Sequence, residues 1–523
     1  MAALVAIPCA KLLSRCTFSL DVNKTRLLVV KSGTPWPPIV YGGEPLSSRI
    51  SRAVRRGELR KLGPALYTSN LADDPETVVA RHRWDIVAHY APGAVVSHRT
   101  AFEARAAADG TVFLTGPIGK RLDIPGLRLR VAKGPGPLPG DHPFLEGLMM
   151  ASESRLLLEN LSLSRGRGGT RRTVSREAVE QRLEAILRAR GESALNRLRD
   201  DARGLALLLG AAREQKALDG IIGALLRSRP AGNLRTATGT AHAAGAAFDP
   251  ERAERFDLLA RSLTTVVPIS RPDPVLEGPA FANLAFFDAY FSNFIEGTEF
   301  EIAEARAIVF EGAIPARRPA DADDVLGTWR LVGDPTWLAQ STTIPAAPAF
   351  LRSLKDAHAT LLAGRPEAGP GEWKTLPNQA GGTRFVEPEL VQGTLAQGWQ
   401  RVISLREPLP RAAMLMFVIT EVHPFTDGNG RLARAFMNAQ LVSARERRIV
   451  IPTVFREDYL GALRALSRQD DPRPFVLMLD QAQRFTHAIT WYAYDEAVAQ
   501  LEAAQAFARP EAGVRLRVPR TAV

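Results

Sequence analysis

Apolar and polar positions alternate with two different periods along the chain, and the change of period divides it. LSSRISRAVRR at 46–56 repeats with helical spacing, Gly57 stops it, and LRKLGPALYTS alternates as a strand pair does. The segments ETVVARHRWDIVAHY and SHRTAFEARAA read as helices, and TVFLTGP and GLRLRVAKGPGPLPG as short strands with Gly/Pro turns. Helical spacing then fills 175–228. A stretch rich in Pro, Gly, Ala and Thr at 229–279 predicts a connection between two halves. In the second half, Leu284, Phe287, Phe291 and Phe294 lie on one helical face that Gly297 ends. AAMLMFVITEV predicts a helix, and Leu432, Ala435, Phe436, Ala439 and Val442 predict another that starts near Gly430. Its longest apolar run, MLMFVIT at 414–420, is far below the ~20 residues of a membrane span, so no membrane partner is expected.

Composition narrows the class without choosing a function. With 523 residues, 46% hydrophobic and 24% charged, the chain is globular and long enough for about three domains. A formal charge of +11 and a sequence pI near 10.0 favour anionic partners. Its two cysteines, Cys9 and Cys16, have no CxxC spacing, which excludes a disulfide scaffold and a thiolate zinc site and fits a reducing cytoplasm. The opening MAALVAIPCAKLLSRC has no charged leader region and is broken by Pro8 and Lys11, so it reads as soluble sequence.

The densest chemistry is EVHPFTDGNGRLARAFMNAQLV at 421–442. The amides of a helix beginning near Gly430 point back into the loop and attract an anion. Gly428 and Gly430 let the backbone approach phosphate oxygens, Asn429 lies between them, and Arg431 and Arg434 project from the first turn to grip further phosphates. Asp427 beside that cradle suits Mg²⁺ bridging phosphate oxygens. His423 can take a proton from an incoming hydroxyl at neutral pH, and Phe425 alternates inward as the loop's anchor. No GxxxxGK[ST] occurs, so the phosphate logic is not that of a Walker loop.

HPFTDGNGRLAR resembles the signature of the Fic family at every fixed position. The resemblance implies an all-helical core with a small flap hairpin that takes ATP with Mg²⁺ as substrate and transfers AMP to a Ser, Thr or Tyr hydroxyl of a protein. His423 would then be the base, Asp427 the metal ligand, and Gly428, Asn429, Gly430, Arg431 and Arg434 the phosphate binders. GGTRFVEPELV at 381–391 resembles the family's flap, giving Gly382, Thr383, Arg384, Phe385 and Val386, although Glu387 and Glu389 depart from its proline-rich string. Tyr459 would line the base pocket. SNFIEG at 292–297 resembles the inhibitory helix motif of the N-terminally inhibited class, with Ser292 and Glu296 one turn apart, and implies a Glu296–Arg434 pair that silences the wild type.

Residues 45–200, through ISRAVRRGELRKLGPALYTSN and AVVSHRTAFEA, are similar to the N-terminal region of AbiEi-type antitoxins, which implies a winged helix before a mixed α/β and helical part. Arg49, Arg52, Arg55, Arg56, Arg60 and Lys61 crowd thirteen residues with Glu58 the one acid, a pattern suited to DNA phosphates. The expected fold class is mainly α, its Fic-like core preceded by a mixed α/β, winged-helix-like region. The expected divisions are a loop-rich 1–43, a winged-helix-like 44–115, a mixed then helical 116–228, a linker 229–279, a segment 280–330 with the inhibitory helix, a catalytic core 331–505 and a tail 506–523. Two rival readings are a DNA-binding regulator that uses the site to sense ATP, and an enzyme that moves another phosphate-linked group.

Overall fold

The computed structural model describes residues 35–519, apart from residue 45 and the short segments 165–168, 267–268, 274–276, 341–343 and 345. Cys9, Cys16, most of the loop-rich N-terminus and the last four residues of the tail lie outside the described residues. The protein is mostly helical, and it divides into two compact units. Of the described residues, one comprises those up to Val174 together with Asp201–Gln215; the other comprises Ser175–Asp200 and those from Lys216 onward.

The first unit holds the two larger sheets. Strand β1 (Ile39–Tyr41), a helix Ser47–Arg55, and the hairpin of β2 (Arg60–Gly63) and β3 (Leu66–Thr68) form a small layer with antiparallel strand order β1-β3-β2. The helix stops where Gly57 takes a φ of 73°, a left-handed conformation that glycine adopts without steric cost. Its Ile50 and Ala53 are buried, while Arg52, Arg55 and Arg56 are exposed. A second sheet runs β6-β7-β5-β4-β9-β8, from β4 (Val95–Val96), β5 (Thr111–Gly116), β6 (Lys120–Ile124), β7 (Leu127–Lys133), β8 (His142–Pro143) and β9 (Met149–Met150). In β7, buried Leu127, Leu129 and Val131 alternate with Arg128, Arg130 and Ala132, as a strand covered on one face requires. Sequence pattern did not predict β6, because KRLDI places only Leu122 and Ile124 inward.

The second unit is built almost entirely of helices. Its core gathers Phe256, Phe350, Trp399, Phe417, Phe425 and Phe436 around the helix Pro408–Val422, in which twelve of fifteen residues are buried. Asn429–Ser443 packs against that helix. The expected linker at 229–279 is corrected here. It contains the helices Ala237–Ala243 and Pro250–Thr264, and the second buries Phe256, Leu259 and Leu263 in the main core. Asp249 caps it by accepting the amides of Glu251 and Arg252, with Pro250 at the first helical position. Small residues set the linker-like composition; the apolar spacing makes the helix.

Candidate active site

The helix Pro408–Val422 ends at His423, which takes a left-handed conformation (φ 53°, ψ 62°) and turns the chain into the loop. Loop residue Phe425 is fully buried between the rings of His358, 3.7 Å away and parallel, and Trp373. Asn429 closes the loop: its Oδ1 accepts the Phe425 amide at 2.9 Å and its Nδ2 donates to the Phe425 carbonyl at 2.9 Å. The Asn429 side chain thus shapes the cradle by binding the loop's own backbone. Gly428 caps the helix Asn429–Ser443 with a φ of 74°, and a Cβ there would press on Leu361, Leu362 and His358.

The His423 imidazole is held in one tautomer. Its Nδ1 lies 3.2 Å from the Thr420 carbonyl, which can only accept, so Nδ1 carries the proton and Nε2 keeps its lone pair. The ring stacks on Phe385 at 3.8 Å and 8°. Burial, with the charge of Lys374 in support, pulls the imidazole down to about 4 against the opposing Thr420 carbonyl, Glu296 and Asp427, so His423 is neutral at pH 7. His358 is held the same way, down to about 4 by burial, with its Nε2 donating to the Asp427 carbonyl at 3.1 Å.

Glu296 lies against Gly430 and Arg434. The helix Gly278–Ile295 brings Ser292 and Glu296 against Arg434, whose Nε donates to Ser292 Oγ and whose Nη2 donates to the Ser292 carbonyl, both at 2.9 Å. The same Nη2 meets Glu296 Oε1 at 2.6 Å. A Cβ on Gly430 would stand 2.1 Å from that carboxylate oxygen, so Glu296 rests on the glycine at the start of the helix. Burial works against the Arg434 charge, and Glu296 and Tyr459 together outweigh it, raising the guanidinium above its ordinary value. Tyr459 is buried, and its hydroxyl accepts from Arg434 Nη1 at 3.3 Å, so it steadies the arginine. Arg456 donates to the Ile295 carbonyl at 3.0 Å and fixes the turn that carries Glu296.

Arg431 faces protein rather than solvent. It pairs with Asp324 at 2.8 Å, lies 3.4 Å from Asn293 Oδ1 and 3.6 Å from Asp427, and its side chain is 3% exposed. Asp427 is the open group of the loop, its side chain 50% exposed, with Oδ1 accepting the Gly428 amide at 2.6 Å. One open carboxylate is a donor set that magnesium uses where phosphates and water complete its shell. Among the described residues there is no cluster of three or more His, Cys, Asp or Glu that would make an all-protein metal cage.

The flap residues divide. Strands β10 (Gln379–Ala380) and β11 (Thr383–Arg384) form a two-stranded hairpin through Gly381 and Gly382. Thr383 accepts from Arg468 and the Arg384 carbonyl from Arg252, while the Arg384 side chain turns out to Glu387. Phe385 covers His423, and Val386 is in the core. Sequence reasoning missed Asp324, His358, Lys374 and Asn378, isolated polar residues whose segments give no sign of what they meet.

Residues 350–441 match the model of the Fic/DOC family. Among curated proteins, it is similar to protein adenylyltransferase fic-1 of Caenorhabditis briggsae, 28% identical over 199 residues, 36% of this chain and 38% of that protein. It is similar also to protein adenylyltransferase Fic of Culex quinquefasciatus, 25% identical over 252 residues, 47% of this chain and 48% of that one. The chain thus spans half or less of the length of these relatives. A solved structure of Fic-1 (residues 134–508) from C. elegans overlaps 62% of this chain and 92% of that one, at 17% identity and a TM-score of 0.35.

Proposed function

We propose that the chain is a protein adenylyltransferase that moves AMP from ATP to a Ser, Thr or Tyr hydroxyl of a protein and is held silent by Glu296. One observation carries this reading: a carboxylate rests against Gly430 and Arg434, at the start of a helix where an anion is favoured, beside an imidazole with a free ring nitrogen. The relatives named adenylyltransferases supply the donor group.

In this reading the phosphates take the place of Glu296, and Arg434 turns from Ser292 and Glu296 to meet them. A target hydroxyl gives its proton to His423 Nε2 as its oxygen attacks the α-phosphorus; the bond to the bridging oxygen breaks and pyrophosphate leaves. Asp427 would hold Mg²⁺, which supplies charge neutralisation at the phosphates. Label from α-phosphate-labelled ATP, but not from γ-labelled ATP, should appear on protein with the Glu296→Gly variant. γ-Label alone would mark a phosphotransferase, and ATP binding with no label from either would mark an ATP-sensing regulator.

A second reading concerns the first unit. Exposed Arg52, Arg55, Arg56 and Lys61 on one helix and its following hairpin support contact with DNA phosphates by a winged-helix-like element. Unchanged mobility of duplex DNA at low salt would remove it.

A further inference from the structure

Lys374 is only 4% exposed, and its ammonium points into the protein beneath the loop. Nζ donates to Asn378 Oδ1 at 2.7 Å and to the Val422 carbonyl at 3.4 Å, and the Lys374 backbone amide donates to the Pro424 carbonyl at 3.0 Å. Val422 and Pro424 flank His423, so two of these three bonds grip the base from either side along the chain. Asn378 continues the contact. Its Nδ2 donates to the Phe425 carbonyl at 3.0 Å, and its own carbonyl accepts the Phe385 amide at 3.2 Å. Phe385 is the ring stacked on His423.

The arrangement is costly unless its surroundings compensate it. Burying an ammonium is unfavourable unless its hydrogens are satisfied. Burial draws Lys374 down to about 8, with Glu387 favouring the charged form and Arg252 opposing it. His423 also sits at positive φ, an uncommon conformation for a non-glycine residue that persists only where its surroundings impose it. Phe385 on the ring, Thr420 on Nδ1 and the Lys374 bonds to the flanking backbone are those surroundings. The charged groups bearing on the imidazole are Lys374, Glu296 and Asp427.

We propose that Lys374, acting through Asn378, is a positioning residue that clamps the flap to the catalytic loop and holds His423 in its reactive orientation. The inference rests on the reading of His423 as the base. It predicts that the staple governs the chemical step and not the binding of ATP, because neither Lys374 nor Asn378 contacts Gly430, Arg434 or Asp427 among the hydrogen bonds of the described residues.

The test uses the full chain carrying Glu296→Gly. Adding Lys374→Met should lower kcat for label transfer at least tenfold while leaving the Kd for Mg-ATP within about twofold. Lys374→Arg, which keeps charge and donors, should lie nearer the parent than Met does. Asn378→Ala removes the second half of the staple without emptying the lysine's cavity, and should lower kcat in the same direction. Amide exchange at Phe385, read by mass spectrometry, should quicken in both Lys374→Met and Asn378→Ala. Unchanged kcat, a loss explained wholly by weaker ATP binding, Arg no better than Met, or unaltered exchange would each overturn the proposal. If Glu296→Gly itself transfers nothing, the functional reading fails; exchange at Phe385 then decides the staple alone.

Discussion

Replacing Glu296 by glycine should switch the protein on, by an amount the geometry bounds. The perturbation removes one charge-assisted hydrogen bond, from Arg434 Nη2 at 2.6 Å, and the carboxylate that rests on Gly430. A hydrogen bond to a charged group contributes roughly 1.5–3 kcal/mol. The Glu296 side chain is 37% exposed, so solvent screening favours the lower part of that range, about 1.5–2 kcal/mol. At about 1.4 kcal/mol per factor of ten, the population with an open cradle should rise roughly 10- to 30-fold. Initial rates of label transfer from α-labelled ATP at subsaturating nucleotide would read this directly, with ATP affinity measured in parallel by calorimetry. Glu296→Gln, which keeps the shape and loses the charge, should fall between wild type and glycine. Rates within twofold of each other for wild type and Glu296→Gly, in proteins that both bind ATP, would refute the reasoning.

Other outcomes follow from individual contacts. Gly430→Ala should abolish ATP binding even with Glu296→Gly, since the added methyl lies in the cradle, and retained affinity on calorimetry would contradict this. In Glu296→Gly, kcat/KM should show no histidine limb between pH 6 and 8. His423 lies near 4, and loss of Glu296, which favours its protonated form, lowers it further, so the base stays neutral throughout; a limb near 6.5 would place it in an ordinary environment. The same depressed values give stability a sign: folded His423 and His358 take up protons less readily than unfolded ones, so stability is full above about pH 6.5 and falls toward pH 4. Urea midpoints across that range would check it. Phe256→Ala should cost about 3–5 kcal/mol, measured by urea unfolding, because this fully buried ring packs edge-on against Phe417. A loss under ~1 kcal/mol would restore the linker reading of that segment.

What could be read from the sequence was what is local along the chain. His423 through Arg434 is one loop and the start of one helix, so its spacing alone brings imidazole, carboxylate, glycines and arginine together. Ser292 and Glu296 are one turn apart, and a turn of helix is enough to set both against the same guanidinium. Arg431 was legible as a cation but not as the partner of Asp324, which lies 107 positions earlier (431 − 324) and whose segment has no motif. Lys374 and Asn378 were hidden for the same reason: their meaning comes from Val422, Phe425 and Phe385, met only after folding. The helix Pro250–Thr264 could have been found, since Asp249 and Pro250 are a start signal and Phe256, Leu259 and Leu263 keep helical spacing. The Ala, Gly and Pro content of the surrounding stretch outweighed that signal.

The account turns on His423 taking a proton from a protein hydroxyl while an adenylyl group is transferred. Intact-mass spectrometry of Glu296→Gly and Glu296→Gly/His423→Ala, each incubated with Mg-ATP and with lysate, tests it most directly. The account predicts an adenylyl mass increment on protein with the first variant and none with the second, while both bind ATP equally. An equal increment with both, or a phosphoryl increment with the first, would contradict it.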